Sequence, residues 1–188
     1  MRKRILMTLA MSLLSVPAMA QYDYAGEVFA GYSLLNVKPG EGADNAWLKR
    51  GWNGSVTGWV NDWFGMTADF TGNYGKIEVP ANAAGVTEVD AKQHGFLAGP
   101  SLRFQRREKF TSSFRVLFGG VRATALADSA ALHSTQFAYA FGGAFDYNIT
   151  DRVAWRIIQP NAYFTSFENH TQKNFRVSTG LVIRFGEN

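Results

Sequence analysis

The feature that most constrains this chain is an alternation of large apolar with small or polar residues, which recurs in many short segments. Between residues 137 and 147, Phe141 and Phe145 share one face of the alternation, whereas Gly142 and Asp146 share the other. Successive side chains of a β-strand point to opposite faces, so each segment predicts a strand with one apolar and one polar face. After the first twenty residues, no apolar run approaches the roughly 20 residues of a spanning helix. Such strands without such a helix are typical of a transmembrane β-barrel.

The alternating segments number eight, and each is long enough to cross a bilayer at a tilt, which takes roughly 9 to 11 residues. They lie at residues 27–36, 50–60, 64–74, 92–104, 110–124, 136–148, 152–165 and 174–185. The sequence therefore predicts an all-β fold, an eight-stranded antiparallel up-and-down transmembrane β-barrel. In the seventh strand Arg156 is out of phase with Gln159 and Asn161. We expect a β-bulge near Pro160 to reconcile them, because proline cannot donate to the ladder.

The connections alternate between short and long. Tight turns are predicted at 61–63, 105–109 and 149–151, and longer loops at 37–49, 75–91, 125–135 and 166–173. Outer-membrane barrels have short periplasmic turns and longer outer loops. An even strand count then places both chain ends on the periplasmic side.

The first twenty residues have the pattern of a secretory signal. Arg2, Lys3 and Arg4 precede an apolar run over 5–16, and residues 18–20 (Ala-Met-Ala) form a small-x-small cleavage pattern. We expect a signal peptide at 1–20 and a barrel domain at 21–188. Without the signal, 16 basic residues face 15 acidic ones, which argues against nucleic acid as a partner. The chain has no cysteine, which excludes disulfides and thiolate metal sites.

Charged residues of the strands fall on the face of small side chains. An eight-stranded barrel has an interior filled by side chains, so parity predicts a paired polar core instead of a wide pore. Its expected members are Glu27, Asp69, Arg103, Arg115, Asp146, Arg156, Arg176 and Arg184. A soluble ligand-carrying barrel is the alternative, and it would have the opposite faces, with bulky apolar groups inside.

Tryptophans and tyrosines lie near the predicted strand ends, where an outer-membrane barrel carries aromatic girdles at the membrane interfaces. The expected girdle comprises Trp52, Trp59, Trp63, Tyr74, Tyr147, Trp155 and Tyr163. Carbohydrate stacking in the loops is the functional alternative for such residues.

Several stretches give the chain a family resemblance: the opening residues 27–33, the segment 141–147, the turn 150–152 with Arg156 and Gln159 after it, and the closing residues 175–185. In these the chain resembles the outer-membrane β-barrel family of small OmpA-like and OmpX-like porin-type proteins. The resemblance covers nearly the whole chain after the signal. It implies location in the outer membrane, contact with outer-membrane lipid, insertion by the outer-membrane assembly machinery, and no catalytic residues to carry over.

The histidines offer little catalytic or metal-binding chemistry. His133 precedes Ser134 and His170 precedes Thr171, but neighbours on a strand point apart, so neither pair suits a nucleophile and its base. His94, His133 and His170 have no local spacing that brings two metal ligands together. We expect His133 and His170 to be solvated loop residues, and we expect no catalytic site, cofactor or metal.

Three functions remain open. The first is a non-enzymatic protein that contributes to envelope integrity or presents its outer loops to an extracellular partner. The second is a narrow channel for small solutes or ions, which requires an interior not filled by its own ion pairs. The third is an enzyme acting on membrane lipid, which requires a nucleophile and base brought together.

Overall fold

Closure of one antiparallel sheet on itself defines the architecture. The computed structural model describes residues 24–37, 46–81, 85–106, 109–127, 130–167 and 170–186, so the expected signal peptide lies outside the described residues. The strands are β1 (Gly26–Val37), β2 (Ala46–Leu48), β3 (Arg50–Trp59), β4 (Phe64–Ala81), β5 (Gly85–Arg106), β6 (Phe110–Ala127), β7 (Ala130–Asn148), β8 (Val153–Phe167) and β9 (His170–Phe185). Strands β3 to β9 pair in chain order, and β1 pairs with β3 and β9. The predicted closed barrel is confirmed.

The barrel has eight strand positions, although nine strands are present in the described residues. Strands β2 and β3 both pair with β1 and are separated only at Lys49. They therefore form one interrupted strand of the barrel, which keeps the predicted count of eight.

Large apolar side chains cover the outside, and polar side chains line the interior. Val28, Phe70, Phe96, Phe118 and Leu181 are among the exposed residues on the outer surface. This is the reverse of the soluble alternative, in which the bulky apolar groups would point inward. The described part of the chain contains no apolar helix of membrane-spanning length.

Three of the four predicted long loops are mostly strand, so their predicted extents were wrong. The β4–β5 ladder continues to Ala81 and Gly85, the β6–β7 ladder to Ala127 and Ala130, and the β8–β9 ladder to Phe167 and His170. Strand β5 has 22 residues, about twice the number that crosses a bilayer. Its first half has no apolar face in the sequence, and its ladder with β4 nevertheless continues to Gly85.

The predicted bulge is confirmed and lies slightly earlier than expected. The β8–β9 register shifts between Arg156 and Gln159, and the β7–β8 register shifts between Phe145 and Asp146. The two intervening isoleucines at 157 and 158 are both exposed, so Arg156 and Gln159 both point inward. The extra residue thus resolves the phase conflict.

Two glycines face each other where the barrel closes. Gly31 of β1 lies opposite Gly180 of β9. A Cβ atom added at Gly180 would lie 2.3 Å from the Ala30 carbonyl oxygen and 2.4 Å from the Gly31 Cα. Both contacts are with backbone, which cannot move aside without widening the seam.

We predict that Gly180→Val lowers the free energy of unfolding by about 1–3 kcal/mol, the usual cost of overpacking. The measurement is the urea midpoint of unfolding in detergent, followed by tryptophan fluorescence. Gly58→Val is the matched control, because an added Cβ at Gly58 meets nothing within 4 Å. Equal midpoints for the two variants would contradict the close approach at the seam.

Candidate functional site

The interior of the barrel contains all eight charged residues that strand parity places there. Their relative exposures range from 0% to 6%, for Glu27, Asp69, Arg103, Arg115, Asp146, Arg156, Arg176 and Arg184. Five arginines and three carboxylates thus share the lumen. A buried ion is costly unless it is paired and hydrogen-bonded, so the contacts among these groups decide what the interior can do.

Arg156 is the centre of the first ionic cluster. Its Nε donates to Asp146 Oδ1 at 2.7 Å, and its Nη2 donates to Asp146 Oδ2 at 2.9 Å. The same Nη2 donates to Glu27 Oε1 at 3.0 Å, and the guanidinium lies 4.7 Å from the centroid of the Phe29 ring. The cluster therefore ties β8 to β7 and to β1 across the lumen, with a bidentate pair that fixes its geometry.

Asp69 is the centre of the second cluster. Arg176 Nη2 lies 2.9 Å from Asp69 Oδ1, and Arg115 Nη1 lies 3.6 Å from Asp69 Oδ2. Asn53 Nδ2 also donates to Asp69 Oδ2 at 3.0 Å. One carboxylate from β4 is thereby held by groups from β3, β6 and β9.

Gln159 joins the two clusters. Its Oε1 accepts from Arg156 Nη1 at 2.9 Å and from Arg115 Nη2 at 2.8 Å, and its Nε2 donates to Asn53 Oδ1 at 2.9 Å. We did not predict Gln159 or Asn53 as members of the core, because the prediction followed charged groups. Parity on β3 and the phase of the bulge were the signals that could have found them.

A cation–aromatic layer closes the end near the short turns. The Arg103 guanidinium lies 3.9 Å from the Trp59 ring and 4.4 Å from the Tyr24 ring, and Arg184 lies 4.7 Å from Tyr24. Arg184 Nη2 also donates to Asn148 Oδ1 at 2.8 Å. Aromatic faces here stabilise guanidinium groups that are out of contact with bulk water.

An apolar cluster fills the lumen on the opposite side of the ionic clusters. Along β6, Leu117 and Val121 follow Arg115 towards the long hairpin, and both are buried. They belong to one cluster with Leu97, Ala138, Ala140 and Tyr163. The apolar cluster therefore adjoins the ionic cluster around Asp69, since Leu97 lies opposite Asp69 in register and the Tyr163 ring lies 5.6 Å from the Arg176 guanidinium.

Two residues of the predicted aromatic girdle lie inside the barrel, so the prediction was wrong for them. Trp59 is 6% exposed and Tyr163 is 2% exposed. Trp59 continues the inward parity of Ser55 and Thr57, and Tyr163 continues that of Asn161. The girdle prediction followed closeness to a strand end, whereas parity decides which side of the barrel wall a residue faces.

The other five girdle residues face outward at two levels. Trp63, Tyr147 and Trp155 are exposed near the short turns, whereas exposed Trp52 and half-buried Tyr74 lie towards the long hairpins. Their role at membrane interfaces stays a prediction.

The histidines are placed differently from the loops in which two of them were expected. His133 lies within β7, and His170 begins β9. Their side chains lie outside the described residues. His94 faces outward, and its Nε2 is hydrogen-bonded to Tyr74 Oη at 2.9 Å. The described residues contain no group of three or more potential metal ligands.

Several solved structures similar to this one are outer-membrane proteins. Neisserial surface protein A matches with a TM-score of 0.67 and 14% identity, over 89% of this chain and 100% of that chain. The chain has the fold of a small outer-membrane β-barrel. OprG from Pseudomonas aeruginosa matches with a TM-score of 0.58 and 10% identity, over 88% of this chain and 98% of its own. Ail of Yersinia pestis matches with a TM-score of 0.53 and 15% identity, over 84% and 97%.

No protein-family model matches the sequence, and no curated protein is detectably similar to it. The likeness to the solved barrels therefore concerns the fold, and the function has to be argued from the residues of this chain.

We predict that Arg156→Met lowers the free energy of unfolding by about 3–5 kcal/mol, because it leaves two buried carboxylates without their main partner. The readout is urea unfolding in detergent micelles. Adding Asp146→Asn to the variant should recover part of the loss, since it removes one of the orphaned charges. Lys109→Met, at an exposed turn position, is the control and should leave stability nearly unchanged. A comparable loss in both single variants would contradict the central role of Arg156.

Proposed function

We propose that this protein is a non-conducting integral barrel of the outer membrane, which acts in envelope integrity or surface interaction through its outer face and its protruding hairpins. The observation that carries the proposal is the filled lumen. The interior contains two linked ionic clusters, a cation–aromatic layer and an apolar cluster, and these leave the outside of the barrel as the surface for function.

The ionic clusters argue against a conduit, because their linked contacts cross the interior between β4 and β9 and between β3 and β8. The Arg156 contacts join β8 to β7 and β1, and the Asp69 contacts join β4 to β3, β6 and β9. A permeating ion would have to displace these pairs. It would also have to pass Leu97, Leu117 and Val121, which offer no polar ligands in exchange for its hydration shell.

The outer surface supports the proposed placement in the membrane. The apolar side chains of the outer face are suited to contact with lipid. The short turns at one end and the long hairpins at the other end are arranged as in outer-membrane barrels. The proposal therefore includes cleavage of the signal peptide, insertion by the assembly machinery, and hairpins directed away from the periplasm towards an extracellular partner.

The filled lumen predicts that the purified protein produces no channel steps in planar lipid bilayers. Insertion is verified on the same lipid by the different migration of boiled and unboiled protein, and a general porin serves as the positive control. Reproducible steps that scale with the amount of folded protein would favour the narrow channel instead. Such a channel would be expected to select anions, because five arginines and three carboxylates line the interior.

The proposed location predicts that the mature protein begins at Gln21 and is recovered from outer-membrane fractions. Intact-mass spectrometry of the purified protein tests the first statement, and separation of the two membranes on a density gradient tests the second. Soluble protein in the periplasm would overturn the proposed placement and revive the ligand-carrying barrel.

A further inference from the structure

The outer surface of β3 to β6 carries a basic edge, formed by Arg50, Lys92 and Arg122, on the side of the long hairpins. All three side chains are exposed and face outward. Arg50 and Lys92 both lie opposite Tyr74 in register, and Arg122 lies opposite His94. With neighbouring strands about 4.8 Å apart, the three cations lie within a surface of four strands, roughly 15 Å wide.

A chain of hydrogen-bonded aromatic groups runs through the basic edge. Trp52 Nε1 donates to Tyr74 Oη at 3.5 Å, and Tyr74 Oη is bonded to His94 Nε2 at 2.9 Å. Side chains with an apolar body and a polar tip are enriched where hydrocarbon meets water. The edge is therefore built like a membrane–water boundary.

The surface becomes apolar immediately below the edge. Phe96 follows His94 by two residues on β5, a distance of about 7 Å. Its ring lies 4.9 Å from that of Phe70, and Phe118 continues the apolar surface on β6. A ligand that used both surfaces would need an anionic head directly attached to an apolar body.

Among the exposed side chains that the structure describes, the basic excess lies at this end of the barrel. Of the acidic side chains that the structure describes on the outer face of β3 to β6, Asp90 lies on the hairpin side, where it is opposite Lys76 in register. Glu78 and Glu88 lie opposite each other further along the same hairpin. At the end with the short turns, the exposed charges described are two acids and two bases, namely Asp62, Asp151, Lys109 and Arg152.

We propose that the basic edge binds the phosphate groups of a lipid in the leaflet on the hairpin side, with the acyl chains of that lipid against the phenylalanines below. Arginine and lysine both bind phosphate, and arginine can do so through two parallel hydrogen bonds. Basic groups near a membrane surface attract anionic lipid headgroups. The inference rests on the proposed outer-membrane placement, and it adds the chemistry of the lipid.

The test compares Lys92→Gln/Arg122→Gln with the control Lys109→Gln/Arg152→Gln, which removes the same charge at the turn end. Each protein is first shown to be folded by its migration without boiling. Binding of bisphosphorylated lipid A, monophosphoryl lipid A and phosphatidylcholine is then measured in detergent micelles by native mass spectrometry. The wild type should prefer the bisphosphorylated lipid, and the edge variant should bind it about thirtyfold more weakly, as expected when two surface charges are lost. The control variant should retain wild-type affinity, and added salt should weaken wild-type binding.

Equal affinities for the edge and control variants would overturn the proposal. Equal binding of phosphatidylcholine and lipid A by the wild type would also overturn it, since only the apolar surface would then matter. Displacement of lipid A by an equal concentration of inorganic phosphate would assign the edge to a free anion instead. Binding is measured in micelles and therefore does not depend on where the protein is located in the cell. If the protein were found in the periplasm, the proposed function would be overturned, whereas the lipid affinities would still test the basic edge.

Discussion

The pairing of β1 with β9 is the constraint on which the rest of the structure depends. In hydrocarbon, a backbone amide or carbonyl has no water to bond, so a sheet can span a membrane only if it has no open edge. The eleven register pairs between β1 and β9 remove that edge. They require a close backbone approach, and the facing pair Gly31 and Gly180 permits it because neither residue has a Cβ atom.

Closure with an apolar outer face forces the polar residues into the lumen. Eight strands enclose too little space for water to solvate several ions, so the ions have to solvate one another. Arg156 donates hydrogen bonds to two carboxylates and to the amide oxygen of Gln159, and Gln159 connects it to the cluster around Asp69. The cations outnumber the carboxylates, and aromatic faces supply additional stabilisation for Arg103, Arg176 and Arg184. The rings of Trp59 and Tyr163 therefore contribute to the electrostatic stabilisation of the buried arginines.

Sequence parity predicted most of the barrel because the membrane imposes the same period of two on every spanning segment. It placed the eight interior charges and indicated a bulge where Arg156 and Gln159 conflict in phase. It failed beyond the apolar band, where the first half of Gly85–Arg106 forms strand without an apolar face. It was also not applied to aromatic residues near strand ends, which is why Trp59 and Tyr163 were assigned to the outside. Gln159 was missed because an amide has no charge to follow, although it makes three hydrogen bonds in the core.

The division between the inside and the outside bears directly on function. A group that holds the walls together cannot easily exchange its partners for a passing solute, because each exchange exposes a buried charge. Arg156 and Asp69 are held in this way. Arg50, Lys92 and Arg122 are in the opposite situation, since they are exposed on rigid strands and can gain a partner without breaking the barrel. The strands also fix the separations of their Cα atoms, so part of the ordering cost of the proposed lipid binding would be met when the barrel folds.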